Sequence, residues 1–251
     1  LFRVTFTATQ GSIVGLLGPN GAGKSTMMAL LATLLRPSSG RIRYGQHDAG
    51  ARGADLRAAI GIADDQGLAR HVLPLVEEGL VERFGFTGPE IAVMAASHSG
   101  EPFHLEAVRS ILEKAGVREE ALGCGAHEPI EPAAAEALRA SGEPPRPIHN
   151  NCSGKHAGML ALALALGAET KGYTDVSHPV QRAIAATLRD LCGIDPDAQP
   201  CGTDGCSVPT WAMPLEAWAR GFSRFASGAG LAPERQRAAR RIIAAVRAHP
   251  F

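Results

Sequence analysis

Gly18-Pro-Asn-Gly-Ala-Gly-Lys-Ser25 fits the pattern G-x-x-x-x-G-K-[ST]. Its glycines let successive backbone N–H groups turn inward around phosphate oxygens, which the residue types alone make possible. Lys24 would reach the β- and γ-phosphates and the Ser25 hydroxyl would ligate Mg2+. The helix opening at Thr26 adds partial positive charge at its N-terminus. Gly18, Asn20, Gly21, Gly23, Lys24, Ser25 and Thr26 are therefore the candidate residues for ATP and Mg2+. The alternative is an ordinary glycine-rich strand–helix turn.

Three further strings carry reactive groups. Asn150-Asn-Cys-Ser-Gly-Lys-His156 puts Cys152 and Lys155 three apart at a helix start, hence on one face. Cys201-Gly-Thr-Asp-Gly-Cys206 holds Asp204 and Cys206 two apart in a glycine-rich turn, where both can point at one centre. Ser97-His-Ser-Gly-Glu-Pro102 lies between an apolar run and a helix, where hydroxyls and N–H groups can meet a substrate. Each has a plainer reading. A free cysteine is often a small buried hydrophobe, and a serine loop before a helix is often only its cap.

Positioning these groups takes a folded chain, and 251 residues suffice for one or two domains with a real core. Hydrophobic residues make up 45% and charged residues 20%, which excludes a disordered chain. Lys+Arg and Asp+Glu both number 25, so the basic excess of a nucleic-acid binder is absent. Lysine is scarce: Lys24, Lys114, Lys155 and Lys171 are the only four. That matters because arginine, with a pKa above about 12, cannot serve as a neutral base. Five cysteines and no signal peptide point to reduced thiols in a cytoplasm. The longest apolar run, Met159 to Ala168, is shorter than the roughly 20 residues a membrane helix needs. A start at Leu1 and a stop just after a helical stretch suggest part of a longer protein.

Alternation of Val4, Phe6 and Ala8 predicts a strand, Ile13–Leu17 a buried strand, 26–35 a helix and 41–44 a short strand. Downstream, helices are expected over 72–84, 105–115, within 129–147, from 155 to about 167, over 179–192 and over 235–249. Glu90 to Ala96 reads as a buried strand, and a domain boundary is placed near residues 66–72.

Gly15-Leu-Leu-Gly-Pro-Asn-Gly-Ala-Gly-Lys-Ser-Thr26 with Leu34-Leu-Arg-Pro-Ser-Ser-Gly40 resembles the opening of an ABC transporter ATP-binding subunit, over about residues 1–66. That family also needs an L-S-G-G-Q signature and an apolar strand ending in Asp-Glu, and the sequence has neither. From about residue 72 onward the text resembles the thermolabile, inducible L-asparaginases typified by rhizobial enzymes. The resemblance rests on Pro74-Leu-Val-Glu-Glu-Gly79, Ala96-Ser-His-Ser-Gly-Glu-Pro102, Cys124-Gly-Ala-His127, Asn151-Cys-Ser-Gly-Lys-His156 and Gly202-Thr-Asp-Gly-Cys206.

The second resemblance implies a serine β-lactamase-like fold and hydrolysis of asparagine to aspartate and ammonia. It makes Ser97 a catalytic serine, assigns Cys152, Lys155 and Cys206 to zinc, gives Asp204 a zinc-bound water, and allows a homodimer. It also implies two missing parts: an S-x-x-K nucleophile motif where the chain reads Gly67-Leu-Ala-Arg-His-Val-Leu73, and a lysine partner for Ser97, whereas no lysine follows Lys171. The expected fold class is α/β. A P-loop fragment over 1–68 would precede an incomplete β-lactamase-like domain over 69–251. The leading function is an asparaginase-like amidohydrolase lacking part of its machinery, with a transporter ATP-binding subunit, also incomplete, as the alternative. Two incomplete machines in one chain point to a rearranged reading frame.

Overall fold

The computed structural model describes residues 4–8, 27, 30–31, 37–49 and 70–250. The chain divides into two compact units, Leu1–Ala63 and Asp64–Phe251. Among the described residues the protein is mostly helical, with two small antiparallel sheets.

In the first unit, β1 (Arg43–Tyr44) and β2 (His47–Asp48) form a hairpin with Arg43 opposite Asp48 and Tyr44 opposite His47. Gly45 takes φ +58 in the turn, the left-handed region that glycine enters without penalty. Tyr44 Oη donates to the Leu31 carbonyl. Residues 4–8 form no strand, contrary to their alternating pattern. Val4 and Phe6 are 50% and 45% exposed, so the pattern finds no core to face. Met27, Leu30 and Leu31 are helical as expected. The expected strand at Ile13–Leu17 and the whole string Gly18–Thr26 lie outside the described residues.

The second unit is built around one helix. Its described elements are α1 (Leu73–Glu77), α2 (Leu80–Phe84), α3 (Gly88–Ala95), α4 (Pro102–Ala115), α5 (Pro132–Ser141), α6 (Ser153–Ala165), α7 (Pro179–Cys192), the hairpin β3 (Cys201–Thr203) and β4 (Pro209–Trp211), α8 (Leu215–Ser227) and α9 (Pro233–Ala248). Helix α6 is rich in Ala and Leu, strong helix formers, and every residue from Ser153 to Ala163 is buried. It is covered by α1, α3, α4 and α7, while α9 packs on α3 and α1, and α8 on α7. The apolar residues of α1 through α4 share a continuous core with those of α6 and α7.

Two expectations fail here. Residues 90–95 belong to helix α3, not to a strand, and Ala96 is its extended, exposed C-cap. Thr87 and Glu90 form a capping box, Pro89 sits in the first turn, and the run is buried along its length, so its apolar content carries no period. The single helix expected over 72–84 is two short ones, broken at Gly79 with φ +67. Helix α8 and the β3–β4 hairpin have no counterpart in the sequence reading.

Helices α3 and α6 cross closely because α6 presents Gly154 and Gly158, one turn apart. A Cβ on Gly154 would stand 2.3 Å from the Val93 carbonyl oxygen, and one on Gly158 would stand 2.8 Å from Met94 Sδ. The first neighbour is backbone and cannot swing away; the second is a flexible thioether. Gly154→Ala should therefore lower the unfolding free energy by about 1–3 kcal/mol, as overpacking does, despite alanine's higher helix propensity. Gly88→Ala, whose Cβ would meet only the His249 ring, should change it by less than about 0.5 kcal/mol. Urea unfolding of both variants checks the contrast.

Candidate functional site

The start of α6 is held by side-chain amides. Asn150 Nδ2 donates to the carbonyls of Cys124 and Gly125 at 2.8 and 3.2 Å, and its Oδ1 accepts the Cys152 N–H at 2.8 Å. This ties the 124–125 segment to the residue that caps α6. Cys152 and Lys155 then project from the first turn into the interior.

The hairpin brings the second half. Cys201 pairs with Trp211 and Thr203 with Pro209, which leaves 204–208 as a tight loop. The Asp204 carboxylate organises that loop: Oδ1 accepts the N–H groups of Cys206 at 2.9 Å and Val208 at 3.0 Å. Ser207, at φ +73, bears the conformational cost of the tight turn. Cys206 Sγ also lies 3.0 and 3.1 Å from the two Asp204 oxygens.

The two halves meet at Lys155. Its Nζ donates to Cys206 Sγ at 2.9 Å and stands 3.6 Å from Asp204 Oδ2. A hydrogen bond joins Cys206 to the Cys152 sulfur. Lys155 is 1% exposed, and Cys152 and Cys206 are both buried. Burial alone would push the Lys155 amine down, but Cys152, Cys206 and Asp204 outweigh it and hold the ammonium form. The hydrogen bond that the Cys206 thiol gives to Cys152, with burial, raises the Cys206 pKa. Burial would raise the Asp204 carboxyl, yet its hydrogen bonds and Lys155 hold it below the ordinary range.

Two buried sulfurs, one buried amine and a partly buried carboxylate thus cluster around one positive charge. That donor set suits a thiophilic cation: thiolates are soft ligands and a metal competes with the proton for the lysine nitrogen. Among the described residues no group of three His, Cys, Asp or Glu side chains can hold a metal ion, so any such site depends on Lys155.

Ser97 lies in the loop after α3 and is exposed. Asn151 Nδ2 donates to its Oγ at 3.4 Å, and His98 N–H donates to the Asn151 carbonyl at 3.1 Å. His98 adds a second tie. The Ser153 hydroxyl gives its proton to the Ile148 carbonyl at 2.9 Å, so His98 Nε2–H must donate to Ser153 Oγ at 2.8 Å. Burial, helped by His104 and His127, lowers the His98 pKa to about 3 and keeps the ring neutral. Ser97 is therefore fixed next to the residues that carry Cys152.

Lys114 donates to Glu90 Oε2 at 2.7 Å and to the Gly85 carbonyl at 2.8 Å, joining α4 to the start of α3. Lys171 is exposed. Gly18, Asn20, Gly21, Gly23, Lys24, Ser25 and Thr26 lie outside the described residues. Cys124 is buried beside the Pro147 carbonyl, and Cys201 is exposed on β3.

Residues that the sequence singled out only as parts of motifs surround this centre. His127 Nε2 stands 3.1 Å from Asn151 Oδ1. Behind Lys155, His156 Nδ1 lies 2.5 Å from Tyr173 Oη, which accepts the Gly123 N–H at 2.8 Å. Tyr173 belongs to no motif. Its distance from His156 along the chain leaves no spacing signal from which the pair could be read.

Comparison with known proteins separates the two parts. Residues 1–122 match the ABC transporter family. The daunorubicin resistance ATP-binding protein DrrA3 of Streptomyces coeruleorubidus is 47% identical over 53 residues, 21% of this chain and 17% of that protein. The ABC transporter ATP-binding protein NatA of Bacillus subtilis is 42% identical over 59 residues, 24% of each chain. The phosphonates import ATP-binding protein PhnC 1 of Rhodopseudomonas palustris is 36% identical over 89 residues, 34% of this chain and 33% of that protein. The chain thus spans a third or less of the length of these relatives. Residues 69–251 match the L-asparaginase II family. The two matches overlap over 69–122, and there the structure puts α1 to α4 into the same core as α6, which carries Cys152 and Lys155 at its start. With nearly three-quarters of its length matched and the Ser97, Cys152–Lys155 and Asp204–Cys206 segments folded within that part, this chain belongs to the L-asparaginase II family.

Proposed function

We propose that residues 69–251 provide the metal-binding half of an asparagine amidohydrolase site, and that these 251 residues do not by themselves complete the catalytic half. The observation that carries the first part is the 2.9 Å contact between the buried Lys155 amine and Cys206, with Cys152 and Asp204 against the same sulfur. Cys152, Lys155 and Cys206 would hold zinc, and Asp204 would accept a proton from a water beside it. Bound zinc would supply a Lewis-acid centre with one position left open by its three protein ligands.

The remaining chemistry falls to the chain's own groups. Ser97 Oγ would attack the side-chain carbonyl of asparagine, forming an ester and releasing ammonia, and water would then cleave the ester. Asn151 holds Ser97 in place, and nearby N–H groups would receive the oxyanion. Taking the serine proton needs a neutral base. No lysine stands three residues after a serine, and arginine stays charged. The serine β-lactamase-like fold, a homodimer and a cytoplasmic setting are part of this proposal, supported by the family resemblance and, for the setting, by five free cysteines.

A second reading concerns residues 1–68, proposed as a phosphate-loop fragment that takes Mg·ATP through Gly18, Asn20, Gly21, Gly23, Lys24, Ser25 and Thr26. It rests on the motif and on relatives named for ATP binding. With no L-S-G-G-Q string and no Asp-Glu pair, the fragment should bind Mg·ATP weakly and turn none over. Equilibrium dialysis should show that Lys24→Ala abolishes the binding; an ATPase rate that Lys24→Ala eliminates would contradict this reading.

Zinc titration of the purified chain should give one ion per chain. Cys206→Ser and Lys155→Met should each abolish stoichiometric binding. Zinc bound equally well by both variants would remove the proposed centre.

The purified 251-residue chain should release no ammonia from asparagine above a Ser97→Ala control. Loss of a base or nucleophile lowers hydrolase rates by roughly 10⁴–10⁶-fold. Adding family sequence that carries the S-x-x-K segment and the second lysine should restore activity. Turnover by the unmodified chain that Ser97→Ala destroys would mean another group serves as the base, and Lys155→Met would test the nearest candidate.

A further inference from the structure

The string Cys124-Gly-Ala-His127 takes no part in the chemistry proposed so far, yet it reaches both halves of the site. Asn150 donates to the carbonyls of Cys124 and Gly125. The next residue, Asn151, meets His127, and it is Asn151 that touches Ser97.

The two ring nitrogens of His127 have different partners. Nδ1 lies 2.6 Å from the Glu128 carbonyl oxygen, which can only accept, so Nδ1 carries a hydrogen. The Asn151 backbone N–H points at Nε2 at 3.3 Å, and a backbone N–H can only donate. Nε2 is therefore bare and the ring neutral. The side-chain amide of Asn151 also meets Nε2, at 3.1 Å. With Oδ1 at that contact and Nδ2 toward Ser97, two lone pairs would face each other. The two ends of a carboxamide have nearly the same shape, so hydrogen bonding decides between them. Turning the amide over makes its NH2 a donor to Nε2 at no cost in packing. A hydrogen on Nε2 would instead press against the Asn151 backbone N–H, which cannot turn away.

We propose that His127 is a positioning residue for Ser97: its bare Nε2 draws the Asn151 NH2 and so turns the Asn151 side-chain carbonyl toward the serine hydroxyl. The hydrogen bond then runs from Ser97 to Asn151 and not the other way. The serine proton faces Asn151, and the lone pairs of Oγ face away from it. At 3.4 Å the contact is long for O–H···O, so it steers the hydroxyl without locking it. The Asn151 backbone is pinned at its N–H by His127 and at its carbonyl by the His98 N–H, which gives the side chain a fixed root. The proposal rests on the amidohydrolase reading for its purpose, and on the His127 and Asn151 contacts alone for the direction of the amide.

NMR of the full 251-residue chain at about pH 8, above the ordinary imidazole range, reads the arrangement without turnover. His127 Nδ1 should resonate as a protonated nitrogen and Nε2 as a bare one. The Asn151 NH2 protons should show NOEs to the His127 ring and none to the Ser97 Hβ protons. His127→Phe keeps a flat ring without a lone pair and should bring NOEs from the Asn151 NH2 to Ser97. His127→Gln, whose side-chain oxygen can accept the same NH2, should restore the wild-type pattern. A hydrogen on Nε2, or wild-type NOEs from the Asn151 NH2 to Ser97, would overturn the proposal. So would an unchanged pattern in folded His127→Phe.

The purpose is read in the chain completed with family sequence. There His127→Phe should lower kcat by about 3–10-fold, the size of one hydrogen bond, with KM unchanged, and His127→Gln should recover it. Equal kcat in all three would overturn the positioning role. A completed chain that releases no ammonia, or whose release survives Ser97→Ala, would sink the nucleophile reading and with it the purpose, while the NMR result would still decide the direction of the amide.

Discussion

Lys155 has 1% of its surface exposed and carries an ammonium whose neighbours are two thiols and a carboxylate. Taking one charge out of water costs several kcal/mol even after the protein relaxes. The surroundings must offset that. Asp204 can do so only because the 204–208 loop turns its carboxylate inward, and Cys206 is held by the same carboxylate. Cys152 is in reach only because Asn150 ties the start of α6 to residues 124–125. The α3–α6 crossing at Gly154 in turn sets where that first turn lies. A metal ion bound here would take over the positive charge that the lysine proton otherwise supplies.

The spacing of Cys152 and Lys155 on one helical face, and of Asp204 and Cys206 in one turn, was legible from local rules because each pair lies within one short element. Their meeting was not, since it depends on where the β3–β4 hairpin packs. The helices at 102–115, 153–165, 179–192 and 233–248 followed from periodicity and from Pro and Gly at their ends. Residues 90–95 did not, because a segment buried on every side has no polar face to reveal its period. The Thr87–Glu90 capping box was the signal that separated helix from strand there. Tyr173 was invisible for a simpler reason: nothing local links it to His156.

The overlap of two family matches across residues 69–122 is resolved by packing. Leu73, Leu75, Ile91, Val108 and Ile111 share one core with Met159, Leu160 and Leu162. A segment that completes that core belongs physically to the asparaginase part. What joins it upstream is the ABC-like text, recognised by its phosphate-loop string.

The most direct measurement is zinc X-ray absorption on the purified chain loaded with one equivalent of zinc. Two sulfurs at about 2.3 Å and lighter ligands at about 2.0–2.1 Å are expected, from Cys152, Cys206 and Lys155. The sulfur shell should drop to one in Cys206→Ser. A spectrum fitted by nitrogen and oxygen alone would show that the buried cluster holds its lysine proton and no metal.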